Sequence, residues 1–555
     1  MTPDLIVLAD TIHTLDGNSQ DPSLPIQAVA VSNGLITAVG SRQQASSWET
    51  PGTTVMDLGS ATLTPGLVDC HIHPVFGLDM TTGVDLSAAA TVEEVRTLLL
   101  GSQAKHDDGW LRGWGLNPNA FGSRQLHRSV LDDVSGTKPV LIRLFDGHSA
   151  LANSKALDMA GIRGPQEFSQ ASEIVCDPDG TPTGLLLEAA AMELVQRHMP
   201  QESFEERKLR LGNLLKDFAR SGLTGAHIMD HSEESAALFR ALEDDGDLPL
   251  RLRAAPWCMP GGTRETWREL ARSVGTGGRR WSIEAIKLFV DGTIDNGTAW
   301  LHEPDAYGQS TAPFWPRPEE YTSAVQYFAA HGIPTATHAI GDGGVDYVLT
   351  ALESLKRPGV HAIPADVLAR TVHRIEHLET VPDHLVSRFR GSGIVASMQP
   401  THCTHYALAD HSDNWSLRLG KERADRAWRC RDLRDAGVTL GIGSDWPIAP
   451  YQPLPIIADA QLRRRSGHPE QDPITPSQAL TALQALEGYT SHAAKAAGLW
   501  DVSGSITPGK RADFTAFELD PLATAPDEFA ASAVVATFVD GLIQYTAQTH
   551  MDVHA

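Results

Sequence analysis

The stretch TPGLVDCHIHP, residues 64–74, places two histidines directly after a short apolar run. They are His71 and His73, two positions apart. In a β-strand, residues i and i+2 point to the same side, whereas in a helix they diverge. We therefore expect both imidazoles on one side of a strand end. They form a binding site there if the chain brings further ligands to the same place.

Further strand-like apolar runs follow, with helical stretches between them. The predicted strands are 61–71, 221–230, 250–258, 283–292, 333–342, 370–378, 393–400 and 438–447. This alternation predicts an α/β fold with parallel strands. Eight such strands in this order predict a (β/α)₈ barrel of the TIM type over residues 61–499.

The two chain ends and one long insertion complete the predicted organisation. Residues 1–60 and 500–555 read as short strands with hairpin turns at Asn-Gly and Asp-Gly. Because an isolated hairpin is marginally stable, we expect both ends to share one small β-sandwich domain. Residues 75–220 separate the first two predicted strands and are far too many for a βα loop. They are therefore predicted to form an inserted cap subdomain over one mouth of the barrel.

The composition argues against several classes of protein. Of 555 residues, 41% are hydrophobic and 21% charged, which is typical of globular proteins, and the net charge of −24 argues against nucleic acid or membrane partners. The five cysteines are scattered without a CxxC pair, which favours a reducing compartment. The N-terminal segment lacks a basic region, and the chain has no apolar stretch long enough to span a membrane. We predict a cytoplasmic protein.

Polar residues at the predicted strand ends point to a metal site. They are His71, His73, Lys287, His338, His377 and Asp445. Catalytic groups of such barrels gather at the carboxyl ends of the strands, so these side chains are expected to converge. Imidazoles and a carboxylate suit a divalent metal such as Zn²⁺. A single strand-end histidine such as His338 is more often a hydrogen-bonded core residue, but the ordered set favours metal ligands.

Several motifs resemble one known superfamily. They are TPGLVDCHIHP, IKLFVDGTIDNGTA, THAIGD, HRIEHLE, GIGSDWPI, DGHSALANSKAL, GTPTGLLLEAA and SGSITPGKRADF. Together they resemble the amidohydrolase superfamily over nearly the whole chain. They are most similar to its YtcJ-like branch, which includes the N-substituted formamide deformylases. The resemblance implies a (β/α)₈ barrel beside a small β-sandwich domain built from both termini.

The resemblance also implies roles for the strand-end residues. The implied metal ligands are His71, His73, Lys287, His338, His377 and Asp445. Lys287 matches a lysine that in many members is N6-carboxylated and bridges two metals, so one or two Zn²⁺ ions per chain are implied. Alternatively, Lys287 stays unmodified, pairs with an acid and leaves a mononuclear site.

Other residues are expected to shape the substrate site. His402 follows the seventh predicted strand and is expected to bind the substrate carbonyl. Asp291 and Trp300 follow Lys287 and are expected to form a lip, and His148 on the cap is expected to close over the site. Packing is the alternative role for His148 and Trp300. Glu188 has apolar neighbours in GLLLEAA but receives no role from the sequence.

The expected activity is hydrolysis of a small N-substituted amide, for example an N-formyl compound, through a metal-bound hydroxide. Asp445 would orient the water, accept its proton and pass it to the leaving nitrogen, giving an acid and an amine. The cap residues Trp110, Trp114, Leu116 and Phe121 suggest an apolar N-substituent. A homodimer is the expected assembly, since it is the commonest oligomer.

Other activities remain open. The alternatives are a mononuclear-metal deaminase, a cyclic amidase and a non-catalytic binding homologue. The stretch THAIGDGG lacks the HxxE pattern of the deaminases, which disfavours the first. Competent residues at all the candidate ligand positions disfavour the last.

Overall fold

A computed structural model of the protein describes residues 2–17, 25–102, 109–122, 124–168, 172–356, 363–547 and 552–554. Two parallel sheets carry the candidate site. One has the strand order Trp281–Ile283, Arg251–Pro256, Leu223–His231 and Leu67–Ile72. The other has the order Ile286–Phe289, Thr335–Ala339, Arg374–His377, Val395–Met398 and Leu440–Ile442. Their parallel pairing confirms the predicted α/β class.

The two parallel sheets are hydrogen-bonded to each other on both sides. On one side, Trp257 and Lys287 form an isolated parallel bridge. On the other, the backbone N–H of Asp445 donates to the carbonyl of His71 at 2.7 Å. Strands buried on both faces, such as Thr335–Ala339, are typical of parallel sheets covered by helices. The carboxyl ends of these strands therefore lie together.

The predicted strand 61–71 divides into two strands in the structure. Thr62–Pro65 pairs antiparallel with Phe514–Phe517 in a sheet made from the chain ends, and only the later residues enter a parallel sheet. Gly66 lies at the division. A Cβ atom on Gly66 would lie 2.2 Å from Oγ1 of Thr224, so this crossing needs a glycine.

Two further sheets contain strands from both chain ends. The first has the order Asp552–His554, Thr54–Asp57, Leu5–Leu8, Ala28–Ser32 and Leu35–Gly40. The second has the order Thr11–Ile12, Thr62–Pro65, Phe514–Phe517, Val534–Val539 and Leu542–Thr546. Val29 of the first sheet and Phe514 and Phe538 of the second belong to one buried apolar cluster, so the two sheets share a core.

A mixed sheet lies between the first two parallel strands of the chain. Its order is Glu173–Cys176, Pro182–Leu187, Ser149–Ala152, Val140–Leu144, Leu111–Leu116 and Val84–Asp85. The α-helices in this part of the chain and before it are Arg42–Ala45, Pro74–Met80, Val92–Ser102, Ser129–Ser135, Ser154–Ala160, Glu188–Gln196 and Phe204–Arg220. A 3₁₀-helix spans Pro118–Phe121.

The remaining helices follow the parallel strands. They are Glu233–Asp245, Arg264–Ser273, Pro318–Ala330, Asp342–Ser354, Ala365–Arg370, Asp383–Phe389, Pro400–Tyr406, Asn414–Leu419, Lys421–Ala424, Cys430–Asp435, Pro453–Leu462, Ala482–Tyr489, Ser491–Ala496 and Pro526–Ala530, with a 3₁₀-helix at Pro476–Gln478. Among the helices described, none is long and apolar enough to cross a membrane.

Candidate metal centre and substrate cavity

A cavity of about 370 Å³ lies at the carboxyl ends of the parallel strands. Among its lining residues are five of the predicted ligands: His73, Lys287, His338, His377 and Asp445. His71 is fully buried behind them. His402, on the helix Pro400–Tyr406, and His148, from the cap, also line the cavity. The structure therefore brings together side chains that are far apart in the sequence.

The two histidines of the opening motif lie close to the carboxylate of Asp445, which follows the strand Leu440–Ile442. Nε2 of His71 lies 3.2 Å from Nε2 of His73, and Oδ1 of Asp445 lies 3.0 Å from Nε2 of His73. Nζ of Lys287 lies 3.3 Å from Nε2 of His71. One donor atom each from His71, His377 and Asp445 lies within 4.8 Å of the others. These residues form a compact set of nitrogen and oxygen donors.

His338 completes the set on the side of the cap. Its ring centroid lies 4.5 Å from that of His377. Nε2 of His338 donates to the carbonyl of Gly292 at 3.1 Å, which leaves Nδ1 with its lone pair. A metal-binding histidine commonly has one nitrogen fixed in this way by a backbone carbonyl.

A buried ion pair supports His71 from behind. Nδ1 of His71 donates to Oε2 of Glu376 at 2.6 Å, and Nη2 of Arg374 donates to the same oxygen at 2.9 Å. Nη1 of Arg374 also donates to Nδ1 of His227 at 2.8 Å. Because the Nδ1 proton of His71 is held by Glu376, the lone pair of Nε2 faces the site.

Burial keeps the imidazoles of His71, His338 and His377 neutral. Burial lowers the pKa of His71 to about 4 and lowers the pKa of His338 and of His377 well below the usual value. Burial favours the neutral acid at Asp445, but contact with neighbouring imidazoles, including that of His73 at 3.0 Å, outweighs it and holds the pKa of Asp445 below its usual range. Neutral imidazoles and ionised carboxylates are the forms that bind metal.

The donor set fits a divalent cation. Nε2 of His71, which carries a lone pair, lies 3.4 Å from Oδ1 of Asp445, so two electron-rich atoms face each other. A cation bound to both would remove the repulsion between them. Imidazole nitrogens together with carboxylate oxygen are ligands that zinc and similar divalent metals accept.

Two of the candidate ligand residues have an unusual backbone conformation. His377 has φ of 73° and Asp445 has φ of 58°, both in the left-handed region that side chains rarely adopt. Such a conformation costs about 1–3 kcal/mol per residue and occurs where the surrounding structure enforces it. Each residue ends or follows a strand, so the turn directs its side chain into the cavity.

His402 faces the carboxylate of Asp445. Nε2 of His402 lies 3.6 Å from Oδ2 of Asp445, and its Nδ1 lies 3.6 Å from Oε1 of Glu379. Nε2 is buried and has no hydrogen-bond partner among the residues that the structure describes. This nitrogen is free to bind a ligand in the cavity.

The cap contributes a buried acid–imidazole pair. Nδ1 of His148 lies 2.8 Å from Oε2 of Glu188, and the ring of His148 lies 5.2 Å from that of His338. Burial disfavours the charged imidazole, but Glu188 more than offsets this and raises the pKa of His148 to about 9. Glu188 thus gains a partner that its sequence context did not indicate.

Asp291 and Trp300, which were expected to form a lip of the site, are not among the residues that line the cavity. The Asp291 carboxylate accepts backbone N–H groups of Trp300 at 3.0 Å and Gly341 at 2.7 Å. The ring of Trp300 packs against Tyr347, with centroids 5.1 Å apart. These hydrogen bonds hold the segment at Trp300 against the strand end, and the indole packs against Tyr347 instead of lining the cavity.

The apolar wall of the cavity also differs from the prediction. Trp110, Leu116 and Phe121 lie in the cap's own buried clusters, and Trp114 is not a lining residue. The apolar lining residues include Phe76, Phe145, Met192, Trp257, Met259, Phe289, Phe314, Tyr406, Trp415, Trp428 and Ile448. An apolar wall is present, but different segments supply it.

The chain is similar to known proteins over most of its length. Protein LONG AFTER FAR-RED 3 of Arabidopsis thaliana is 31% identical over 97% of this chain and 91% of its own. N-substituted formamide deformylase of Arthrobacter pascens is 28% identical over 98% of each chain. The solved structure of a metal-dependent hydrolase of Pyrococcus horikoshii has a TM-score of 0.70 at 23% identity and covers 94% of this chain and 99% of its own.

A family model settles the affiliation. The model of the amidohydrolase family matches residues 54–545, which is most of the chain. The match confirms the resemblance found in the motifs and agrees with the donor set at the strand ends. The chain belongs to the amidohydrolase family and is a hydrolase that acts on carbon–nitrogen bonds.

Proposed function

We propose that the protein hydrolyses the amide bond of a small N-substituted amide at a divalent metal centre. The proposed ligands are His71, His73, Lys287, His338, His377 and Asp445. The observation that carries the proposal is the approach of His71 Nε2, His73 Nε2 and Asp445 Oδ1 at the floor of the cavity. Zinc, as one or two ions per chain, suits these ligands.

The proposed domain arrangement follows from the sheets. The two parallel sheets would be halves of one closed (β/α)₈ barrel over residues 61–499, with Trp281–Ile283 and Ile286–Phe289 as one interrupted strand. Hydrogen bonds on both sides of the sheets support closure. Residues 1–60 and 500–555 would form the β-sandwich domain and 75–220 the cap, with the strand Thr62–Pro65 extending the sandwich.

The chain's own residues have distinct proposed roles. When bound, the divalent metal supplies Lewis acidity and activates a water molecule for attack. Asp445 accepts a proton of that water at its carboxylate and delivers it to the leaving nitrogen as the carbon–nitrogen bond breaks. His402 donates from Nε2 to the substrate carbonyl oxygen, because that nitrogen has no partner among the described residues. The products are a carboxylic acid and an amine.

Lys287 is proposed to be carboxylated on Nζ. It is 1% exposed, and no described carboxylate lies within 4.0 Å of Nζ, which speaks against a simple ion pair. Burial lowers the pKa of Lys287 to about 8, which favours the neutral amine that reacts with CO₂. The nitrogen forms a bond to the CO₂ carbon and loses a proton, giving a carbamate. Its anionic oxygens would suit two adjacent cations better than an ammonium group.

The cavity supports an amide with an apolar N-substituent. Its volume of about 370 Å³ lies within the usual range for small-molecule sites. Trp257, Phe289 and Phe314 contribute aromatic surface to its lining. N-formyl compounds are a specific proposal, supported by the similarity to a protein named N-substituted formamide deformylase. We also propose that the protein is a cytoplasmic homodimer. Its net charge of −24 argues against nucleic acid and membranes as partners.

The activity is tested with a series of N-substituted formamides and the matching acetamides. We expect release of the acid and amine in equal amounts, loss of turnover after chelation and recovery with Zn²⁺. The comparison substrate is an amidine heterocycle, which a deaminase would convert with release of ammonia. Turnover of that substrate, with every amide left intact, would overturn the proposal.

Replacing Lys287 by alanine is expected to lower the metal content. Elemental analysis should find about two metal ions per wild-type chain and one or none in Lys287→Ala, because a bridging ligand is lost. Exposed Lys421, which pairs with Asp425 at 3.4 Å, supplies the control Lys421→Ala. One metal ion per chain in both Lys287→Ala and wild type, with activity kept, would make Lys287 structural and the site mononuclear.

A further inference from the structure

A second cavity lies at the other ends of the parallel strands. It has two adjoining chambers of about 140 and 200 Å³, which share His227, Arg253 and Glu284. Arg251 and Arg374 line it and are the first residues of their strands, whereas the candidate metal ligands lie at strand carboxyl ends. We call these two chambers the basic cleft. It is separate from the cavity of the proposed active site.

The basic cleft concentrates positive charge in an acidic protein. Its arginines are Arg251, Arg253, Arg279, Arg280, Arg370, Arg374 and Arg511. The acidic residues that line it are Glu284 and Asp513. The protein as a whole carries a net charge of −24 and repels anions over most of its surface. Positive charge gathered in one cleft of such a chain favours a specific anion.

Most of these guanidinium groups already have protein partners. Nε of Arg251 lies 2.9 Å from Oδ2 of Asp513, and Nη2 of Arg253 lies 3.2 Å from Oε2 of Glu284. Arg374 is committed to the buried carboxylate of Glu376. Arg279, Arg280 and Arg370 pair in the same way with Asp247, Asp540 and Asp366. The neighbouring acids therefore neutralise every arginine of the cleft except Arg511 and hold these arginines in place.

Arg511 is different. Among the described residues, no carboxylate lies within 4.0 Å of its guanidinium, and that group makes no hydrogen bond. It is partly exposed; burial and the positive charge of Arg251 lower its pKa, although the more distant carboxylates of Asp513, Asp540 and Glu284 oppose this. Partial burial of a charge without a direct partner is unfavourable. An anion in the cleft would remove this cost.

We propose that the basic cleft binds a small, doubly charged oxyanion between Arg511, Arg253 and Arg251. Guanidinium groups bind phosphate through paired N–H donors, and such charge-assisted bonds are strong. The shared chemistry is a phosphate group, either free or carried by a small metabolite. This site does not depend on the proposed amide hydrolysis, since it lies at the opposite strand ends.

Inorganic phosphate is the first probe. Isothermal titration of the purified holoenzyme at constant ionic strength, with chloride as the reference, is expected to show saturable binding. Arg511→Gln is expected to weaken it about 10- to 100-fold, the loss of one charged hydrogen-bonding partner. Because the Arg511 guanidinium has no carboxylate within 4.0 Å among the described residues, the ligand-free melting temperature of the variant should not fall. Arg511→Lys, which keeps the charge, should recover part of the affinity.

Matched variants and a second ligand define the outcomes. Arg163→Gln removes the same charge from an exposed pair with Asp158 and should leave phosphate binding unchanged. Glycerol phosphate is the second ligand: tighter binding than phosphate assigns the cleft to a phosphorylated metabolite, and weaker binding assigns it to the free ion. Binding of equal strength in wild type and Arg511→Gln would place phosphate at the metal centre or on the surface and overturn the proposal. Absence of binding to wild type would also overturn it.

Discussion

Asp445→Asn is expected to lower kcat about 10²- to 10⁴-fold, the contribution of a positioned acid–base group. Asparagine has almost the same size as aspartate but does not take up the proton of the attacking water. Contact with the imidazole of His73 helps to hold the pKa of Asp445 below its usual range, so the wild-type carboxylate is ionised and ready to accept that proton. Steady-state kinetics on an N-substituted formamide measures the effect.

Asp445 is also a proposed ligand, so metal content has to be measured on the same preparation. Loss of turnover with the metal retained would identify proton transfer as its main role, and loss of both would identify ligation. Asp410→Asn is the matched control, because Asp410 is exposed and accepts only from Ser412 at its carboxylate among the described residues. Turnover by Asp445→Asn at the wild-type rate would contradict the proposed mechanism.

Glu376→Gln is expected to lower the free energy of unfolding by about 3–5 kcal/mol, because it leaves a buried charge without its partner. Glu376 is fully buried and binds both Arg374 and Nδ1 of His71. The substitution also loosens the orientation of His71, so metal affinity should fall by about 10- to 100-fold. Urea denaturation and metal titration measure the two effects.

A surface pair of the same chemistry provides the control. Glu353 binds Arg388 through two contacts of 3.0 Å, but its side chain is 37% exposed. Glu353→Gln should therefore cost about 0–1 kcal/mol. If both variants lost the same small amount of stability, the buried pair would not contribute the expected free energy of unfolding.

The strand order and the converging side chains could be predicted from the sequence because both depend on local patterns. The two-residue spacing of His71 and His73 indicates one side of a strand. Parallel strands end at one edge of a sheet, so His377 and Asp445 are expected beside them despite their distance in the chain. The structure places these residues together.

The polar interior below the site could not be predicted in the same way. Arg374 and Glu376 alternate along a short strand, and alternating polar residues usually indicate a solvated face. Here the alternating side chains point inward and bind His227 and His71. Pairing of this kind depends on which strands become neighbours, and the sequence of a single strand does not specify its neighbours.

The apolar residues that line the cavity could not be predicted, for a related reason. Aromatic residues in the cap suggested the apolar surface, but Leu116 and Phe121 are needed for the cap's own core. The residues that do line the cavity, such as Trp257 and Trp415, come from segments that follow different strands. The hydrophobicity of a side chain predicts that it is buried, but it does not predict which buried surface the side chain contacts.

The division at Gly66 has a consequence for biosynthesis. The segment just before His71 pairs with Phe514–Phe517, and the backbone of His71 accepts a hydrogen bond from Asp445. The segment that carries His71 leaves the ribosome several hundred residues before these partners. Because domains fold as their partners become available during synthesis, the candidate metal centre can be assembled only after Asp445 and the strand Phe514–Phe517 have been made.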